Sequence, residues 1–151
     1  QPAKRRKLIS GLRAGVKEVL NIKLIPIIMI LGYLSYIDVK KREVPDLPVL
    51  ALFLYSFFVV KDLMASFMMG GIAFLVQLFL AVISNGGIGG GDIKLFSVVA
   101  FLMGFDLYLL VLPMAMLMVG TIIYCLVTKK GLWYSVPFAP YIFFSFLFYW
   151  G

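Results

Sequence analysis

Residues 63–105 read LMASFMMGGIAFLVQLFLAVISNGGIGGGDIKLFSVVAFLMGF, and the fold turns on this stretch. Leu63 to Ile83 contains no Asp, Glu, Lys or Arg, and about 20 consecutive apolar residues suffice for a helix to cross the hydrocarbon core of a bilayer. A glycine-rich loop, Ser84 to Asp92, follows, and then a shorter apolar run, Ile93 to Phe105. Two apolar runs joined by a polar loop predict a helical pair in lipid. The whole chain has the same character. Its 151 residues are 63% hydrophobic and 14% charged, with a mean hydropathy of +1.05, against ~45–50% apolar and ~25% charged in a soluble domain. Too little polar surface exists to cover such a chain in water, which excludes an ordinary soluble globular protein.

Working outward, Val19 to Ile37 (with Lys23 snorkelling), Leu107 to Val127 and Leu132 to Trp150 read as further full spans. Leu47 to Val60 reads as a second short one that tilts or thins the bilayer. The expected fold is all-α, a polytopic transmembrane helical bundle of about six spans, with five as the alternative count. The net charge of +7 is concentrated at the amino terminus, where Lys4, Arg5, Arg6, Lys7, Arg13, Lys17 and Lys23 face only Glu18. Leu8, Leu12, Val16 and Leu20 recur every four residues there, which predicts an amphipathic basic helix over residues 1–18 lying on the membrane, followed by a transmembrane domain over 19–151. A disordered basic arm is the plainer alternative, and a cleavable signal peptide fits poorly because the charges continue past Arg13. The expected partner of this segment is anionic lipid. No nucleic-acid partner is expected, since no DNA-binding motif accompanies the charge.

Histidine is absent and cysteine occurs once, at Cys125. His-based acid–base chemistry, Cys–His nucleophiles, disulfides and Cys/His zinc sites are therefore excluded, and neither a metal nor a cofactor is expected. Polar chemistry is confined to three loops, Asp38 to Asp46 (DVKKREVPD), Ser84 to Asp92 (SNGGIGGGD) and Thr128 to Gly131 (TKKG). With six crossings all three share one face, and their basic residues make it cytoplasmic. The same topology leaves the basic N-terminal segment on the opposite side. Asp38 and Asp92 are separated by two crossings, so parity returns both to one face. Two carboxylates within a few ångströms do not readily both ionise, so one keeps a proton and the pair supplies an acid and a base for hydrolysis. Taken singly, each has a plainer reading: Asp38 as a solvated interfacial flank beside Lys40, Lys41 and Arg42, Asp92 as a helix N-cap. Asp46, after Pro45, reads as a helix cap, while Asp62 and Asp106 read as solvated connectors on the far face. Lys94 with Ser97 would make a Ser–Lys dyad, around which nothing else assembles.

These residues resemble the type IV prepilin peptidase and preflagellin peptidase family. GGGDIK, Gly89 to Lys94, matches its GxGDxK signature. Asp38 with Val44, Pro45 and Asp46 matches its first motif, and PFAPY, Pro137 to Tyr141, is similar to a late Pro-Phe-Gly/Ala-Pro element. The resemblance covers nearly all the chain after about residue 24. It implies a membrane-embedded aspartyl endopeptidase that removes the leader peptide of prepilins or archaeal preflagellins at the cytoplasmic face. Asp38 and Asp92 are then the catalytic pair, and Gly89, Gly91, Lys94, Pro45, Asp46 and Pro137 are loop or substrate-contacting residues. It also implies the compact form of the family, without the cysteine zinc region and methyltransferase activity of the larger bacterial enzymes. Two rivals compete. A presenilin or signal-peptide-peptidase relative shares GxGD, but it carries a Tyr-Asp pair where Ile37 here separates Tyr36 from Asp38. A small proton-coupled transporter subunit would space its carboxylates across the membrane.

Overall fold

The computed structural model describes residues 2–83, 89–127 and 137–150. Among these the chain is all-helical, comprising α1 (Pro2–Lys41), α2 (Asp46–Val59), α3 (Leu63–Ile83), α4 (Gly90–Met103), a 3-10 turn (Gly104–Asp106), α5 (Leu107–Val127) and α6 (Ala139–Trp150). Most of the glycine-rich loop (84–88), the TKKG loop and the expected start of the last span lie outside the described residues.

The amino terminus differs from expectation. The basic segment is not a separate surface helix, because α1 runs unbroken from Pro2 to Lys41. Its two early glycines, Gly11 and Gly15, each cost only about 1 kcal/mol against alanine, too little to end a cooperative helix of this length. Pro26 lies inside α1, where its missing N–H disturbs the carbonyls one turn upstream. The Tyr55 hydroxyl donates to one of these, the Lys23 carbonyl, at 3.0 Å and ties α2 to α1.

Three stretches are long and apolar enough to cross a membrane: Ile22–Lys41, Leu63–Ile83 and Gly90–Gly120, the last containing α4, the 3-10 turn and much of α5. Six full spans are not seen, and proline placement is the reason. α2 starts only after Pro45 and α6 only after Pro137 and Phe138, because prolines at 48 and 140 fit the first helical turn and no later one. α2 has 14 residues and α6 has 12, about 21 and 18 Å at 1.5 Å per residue, short of the ~30 Å core.

The helices nevertheless run end to end through one bundle. Ala139, opening α6, meets Asp38 near the end of α1, while Tyr149, ten residues on, hydrogen-bonds Asp106 at the opposite end. That far end encloses a cavity of about 290 Å³ bordered by Leu24, Val60, Asp62, Gly104, Asp106 and Tyr149. α2 therefore travels from the Asp38 end to the far end, α3 returns, and α4 goes out again to Gly104, whose φ of +54° turns the chain into α5.

Each helix turns a stripe inward. Leu24, Ile27, Leu31 and Leu34 of α1 pack with Leu107, Leu110 and Met114 of α5 and Ala139, Ile142 and Phe146 of α6, at the three-and-four spacing that keeps one helical face. α3 offers small residues instead, Ala65, Ser66, Gly70 and Ala73, which lets α4 approach closely. A Cβ on Gly70 would stand 3.0 Å from the Cβ of Phe101. The Phe101 ring in turn lies 5.1–5.2 Å from those of Phe53, Phe57 and Phe67, clamping α2, α3 and α4 together. The outer surface is apolar as well: Met29, Leu47, Phe58, Met64 and Phe148 are each at least 70% exposed. Such a surface suits lipid and not water.

Candidate active site

The register of α1 decides the environment of Asp38. The buried positions 24, 27, 31 and 34 continue by one more step of four to 38, so the carboxylate falls on the packed face and is 4% exposed. A solvated flank is therefore excluded. A buried carboxylate needs donors, and Asp38 finds one 101 residues away: the Ala139 N–H donates to its Oδ2 at 2.8 Å. Ala139 is the first residue of α6, where helical amides lack partners and the helix dipole favours negative charge. Asp38 thus caps α6 from another helix.

Asp92 is the third residue of α4. Gly89, with φ −67° and ψ 140°, occupies the N-cap position, and the Asp92 N–H bonds its carbonyl at 3.1 Å. Asp92 is consequently not the cap; its carboxylate is half-buried and lies close enough to Asp38 for the two charges to repel. The approach is made by Gly91. A Cβ there would come within 2.8 Å of the Val44 Cβ, so only glycine lets the first turn of α4 lie against the connector that follows α1. Tight approach, not a left-handed backbone, is what this glycine supplies, since Gly104 alone among the described glycines has a positive φ. At Gly89 a Cβ would meet Asp92 Oδ2 at 3.3 Å.

The remaining motif residues gather around this pair. α1 is closed by the residue that follows it, Arg42, which is left-handed (φ +55°) and whose N–H bonds the Asp38 carbonyl at 2.8 Å. Pro45 is the N-cap residue of α2, with φ −68° and no side-chain capping bond. Asp46 makes no capping bond at that start either. Its Oδ1 accepts from Lys94 Nζ at 2.8 Å in an exposed ion pair. The pairing joins the start of α2 to α4 and gives Lys94 a structural partner that its motif did not reveal. With Lys94 so engaged and the Ser97 hydroxyl donating to the Ile93 carbonyl at 2.7 Å, the Ser–Lys alternative is not assembled. Pro137 is half-buried just before α6. Its neighbour Phe138 places its ring 6.1 Å from that of Phe96, edge to face. Alongside these elements, a groove of about 650 Å³ between α2, α3 and α4 is lined by Leu47, Leu50, Phe53, Phe74 and Val98, with Asp46 and Lys94 also bordering it.

The other aspartates stand apart from this cluster. Asp62 is a cap and more than a connector: its Oδ1 accepts from the Met64 and Ala65 N–H groups at 3.0 and 3.2 Å and starts α3. Asp106 lies in the 3-10 turn and accepts from Tyr149. Among the described residues no three His, Cys, Asp or Glu side chains gather so as to hold a metal ion. The role of the Ala139 amide carries no direct sequence signal, because a backbone donor has no residue signature. The signals that point to it are the α1 stripe ending on an acid and a Pro-Phe-Ala-Pro opening on a buried helix.

A model of the type IV leader peptidase family matches residues 25–126, a stretch that contains both Asp38 and Asp92. No curated protein and no solved structure matches the chain.

Proposed function

Because the chain belongs to the type IV leader peptidase family, and is a peptidase on that ground, we propose that it removes the leader of prepilins or preflagellins by an aspartyl mechanism at the cytoplasmic face of a membrane. The observation that carries this reading is that Asp38 and Asp92 stand at the same end of the bundle, near enough for their charges to repel, one buried and one half-buried. In the proposed reaction the pair holds a single proton. The charged carboxylate accepts a proton from water as the water oxygen attacks the scissile carbonyl, and the protonated carboxyl donates to the developing oxyanion. Collapse of the tetrahedral intermediate then breaks the C–N bond, with a proton passing to the leaving amine. Carboxylates spaced for proton relay would be distributed along the bundle; here both stand at one end.

The six-crossing topology belongs to the same proposal, with α2 and α6 as short crossings in locally thinned lipid. Lys40, Lys41, Arg42 and Lys94 then lie on the side that the positive-inside rule makes cytoplasmic. The substrate is a basic leader joined to an apolar helix, cut just outside the hydrocarbon, and anionic lipid is the proposed partner of the N-terminal segment. The test is cleavage of a panel of prepilin and preflagellin leaders in membranes. Asp38→Asn and Asp92→Asn are each expected to reduce the rate at least ~10³-fold, the order lost when a catalytic group is removed. Wild-type cleavage with full activity in either variant would show that the dyad is wrong.

A further inference from the structure

We propose that the peptide N–H of Ala139 is a positioning donor for hydrolysis, and that the Phe138–Ala139 step brackets the two aspartate-bearing helices. This rests on the dyad reading above and adds to it a group that no side-chain motif names.

Among residues 139–142, the local chemistry leaves one amide for the task. At the start of α6 the Tyr141 and Ile142 N–H groups return to the Phe138 carbonyl at 3.1 and 3.5 Å. Pro140 has no N–H. The Ala139 N–H is therefore the donor that this turn presents outward, and Asp38 Oδ2 receives it at 2.8 Å. Both residues are nearly excluded from solvent, at 1% and 4% exposure, and such a bond is stronger in low dielectric than in water. Phe138 completes the bracket on the other side, through its ring on Phe96. Phe96 stands four residues beyond Asp92, on the same face of α4. One dipeptide thus touches α1 at its aspartate and α4 one turn from its aspartate. With Oδ2 tied to α6, Oδ1 is the oxygen left to meet water and substrate. A misplacement of about 1 Å at such a point costs on the order of 10²-fold in rate.

Ala139→Pro tests the donor. Proline is accommodated in the first helical turn, where the N–H is not needed by the helix itself, and its ring carbon stands where the hydrogen did. A positioning role predicts that kcat falls at least ~30-fold while KM stays within about threefold. Ala139→Gly, which keeps the N–H, should retain kcat within about threefold. A bond that only caps α6 predicts unchanged kcat in Ala139→Pro, and that result overturns the inference. If Ala139→Pro loses helical circular dichroism, Phe138→Leu decides instead: it leaves the amide in place and loosens the contact with Phe96. A fall in kcat of roughly fivefold at constant KM supports the bracket, and wild-type kcat rejects it. Failure of the wild-type protein to cleave any leader would instead reject the dyad reading, and this inference with it.

Discussion

Asp62 and Asp38 both cap a helix, yet their surroundings assign them different work. Asp62 caps its own helix in an exposed turn, so its contribution is that of an ordinary N-cap, about 1 kcal/mol. Asp62→Ala is expected to lower stability by that amount and Asp62→Asn hardly at all, since asparagine caps equally well; leader cleavage should persist in both. Chemical denaturation in detergent together with the cleavage assay reads this, and loss of cleavage in a folded variant would place Asp62 in the catalytic machinery. Asp38 caps a helix that is not its own, inside the bundle. Its burial was not legible in the sequence, where the run from Ile22 to Ile37 is apolar almost throughout and sets no register; the buried positions 24, 27, 31 and 34 that lead to 38 emerge only from the packing. Its partner was not legible, since nothing in a sequence pairs an acid with an amide 101 residues away. Gly91 was legible only as a motif glycine; the reason for it lies in the packing, since a Cβ there would stand 2.8 Å from the Val44 Cβ.

At the scale of elements, prolines and glycines set lengths and distances more than hydropathy did. Hydropathy located every apolar helix, but it ran the last one back to Leu132, whereas Pro137 and Pro140 hold the start of α6 at Ala139. Neighbouring glycines in α3 show how far packing, not composition, decides. Gly70 faces Phe101 with no room for a Cβ, while a Cβ on Gly71 meets nothing within 4 Å. Gly70→Ala is therefore expected to destabilise by ~1–3 kcal/mol, the usual cost of overpacking. Gly71→Ala should stabilise by ~0.5–1 kcal/mol through helix propensity. Unfolding midpoints in detergent would show the two substitutions moving in opposite directions, and the reverse order would mean that the α3–α4 interface is misplaced.

For the whole molecule, composition pointed to a membrane class, and apolar runs of about 20 residues without alternation pointed to helices rather than a closed β-barrel, the other fold that satisfies its backbone in lipid. The continuity of α1 was not legible. The four-residue recurrence of leucine and valine in residues 8–20 describes a face of a helix, and a face alone does not say where the helix stops. Topology is tested on a Cys125→Ser background with a membrane-impermeant thiol reagent. Lys40→Cys should label from the cytoplasmic side and Lys61→Cys from the opposite one. Labelling of both from one side would show that α2 does not cross.

α6 is held at both of its ends, Ala139 to Asp38 on α1 and Tyr149 to Asp106 in the turn before α5. Mechanically, a beam held at one end swings and a beam held at both only rolls about its axis. Were the distal pin lost, an angular play of about 5° over the ~15 Å between the two residues would move one end by roughly 1.3 Å relative to the other. That is more than the ~0.5 Å tolerance of a preorganised site. A contact on the far side of the bundle thereby limits how far the helix that caps Asp38 can tilt.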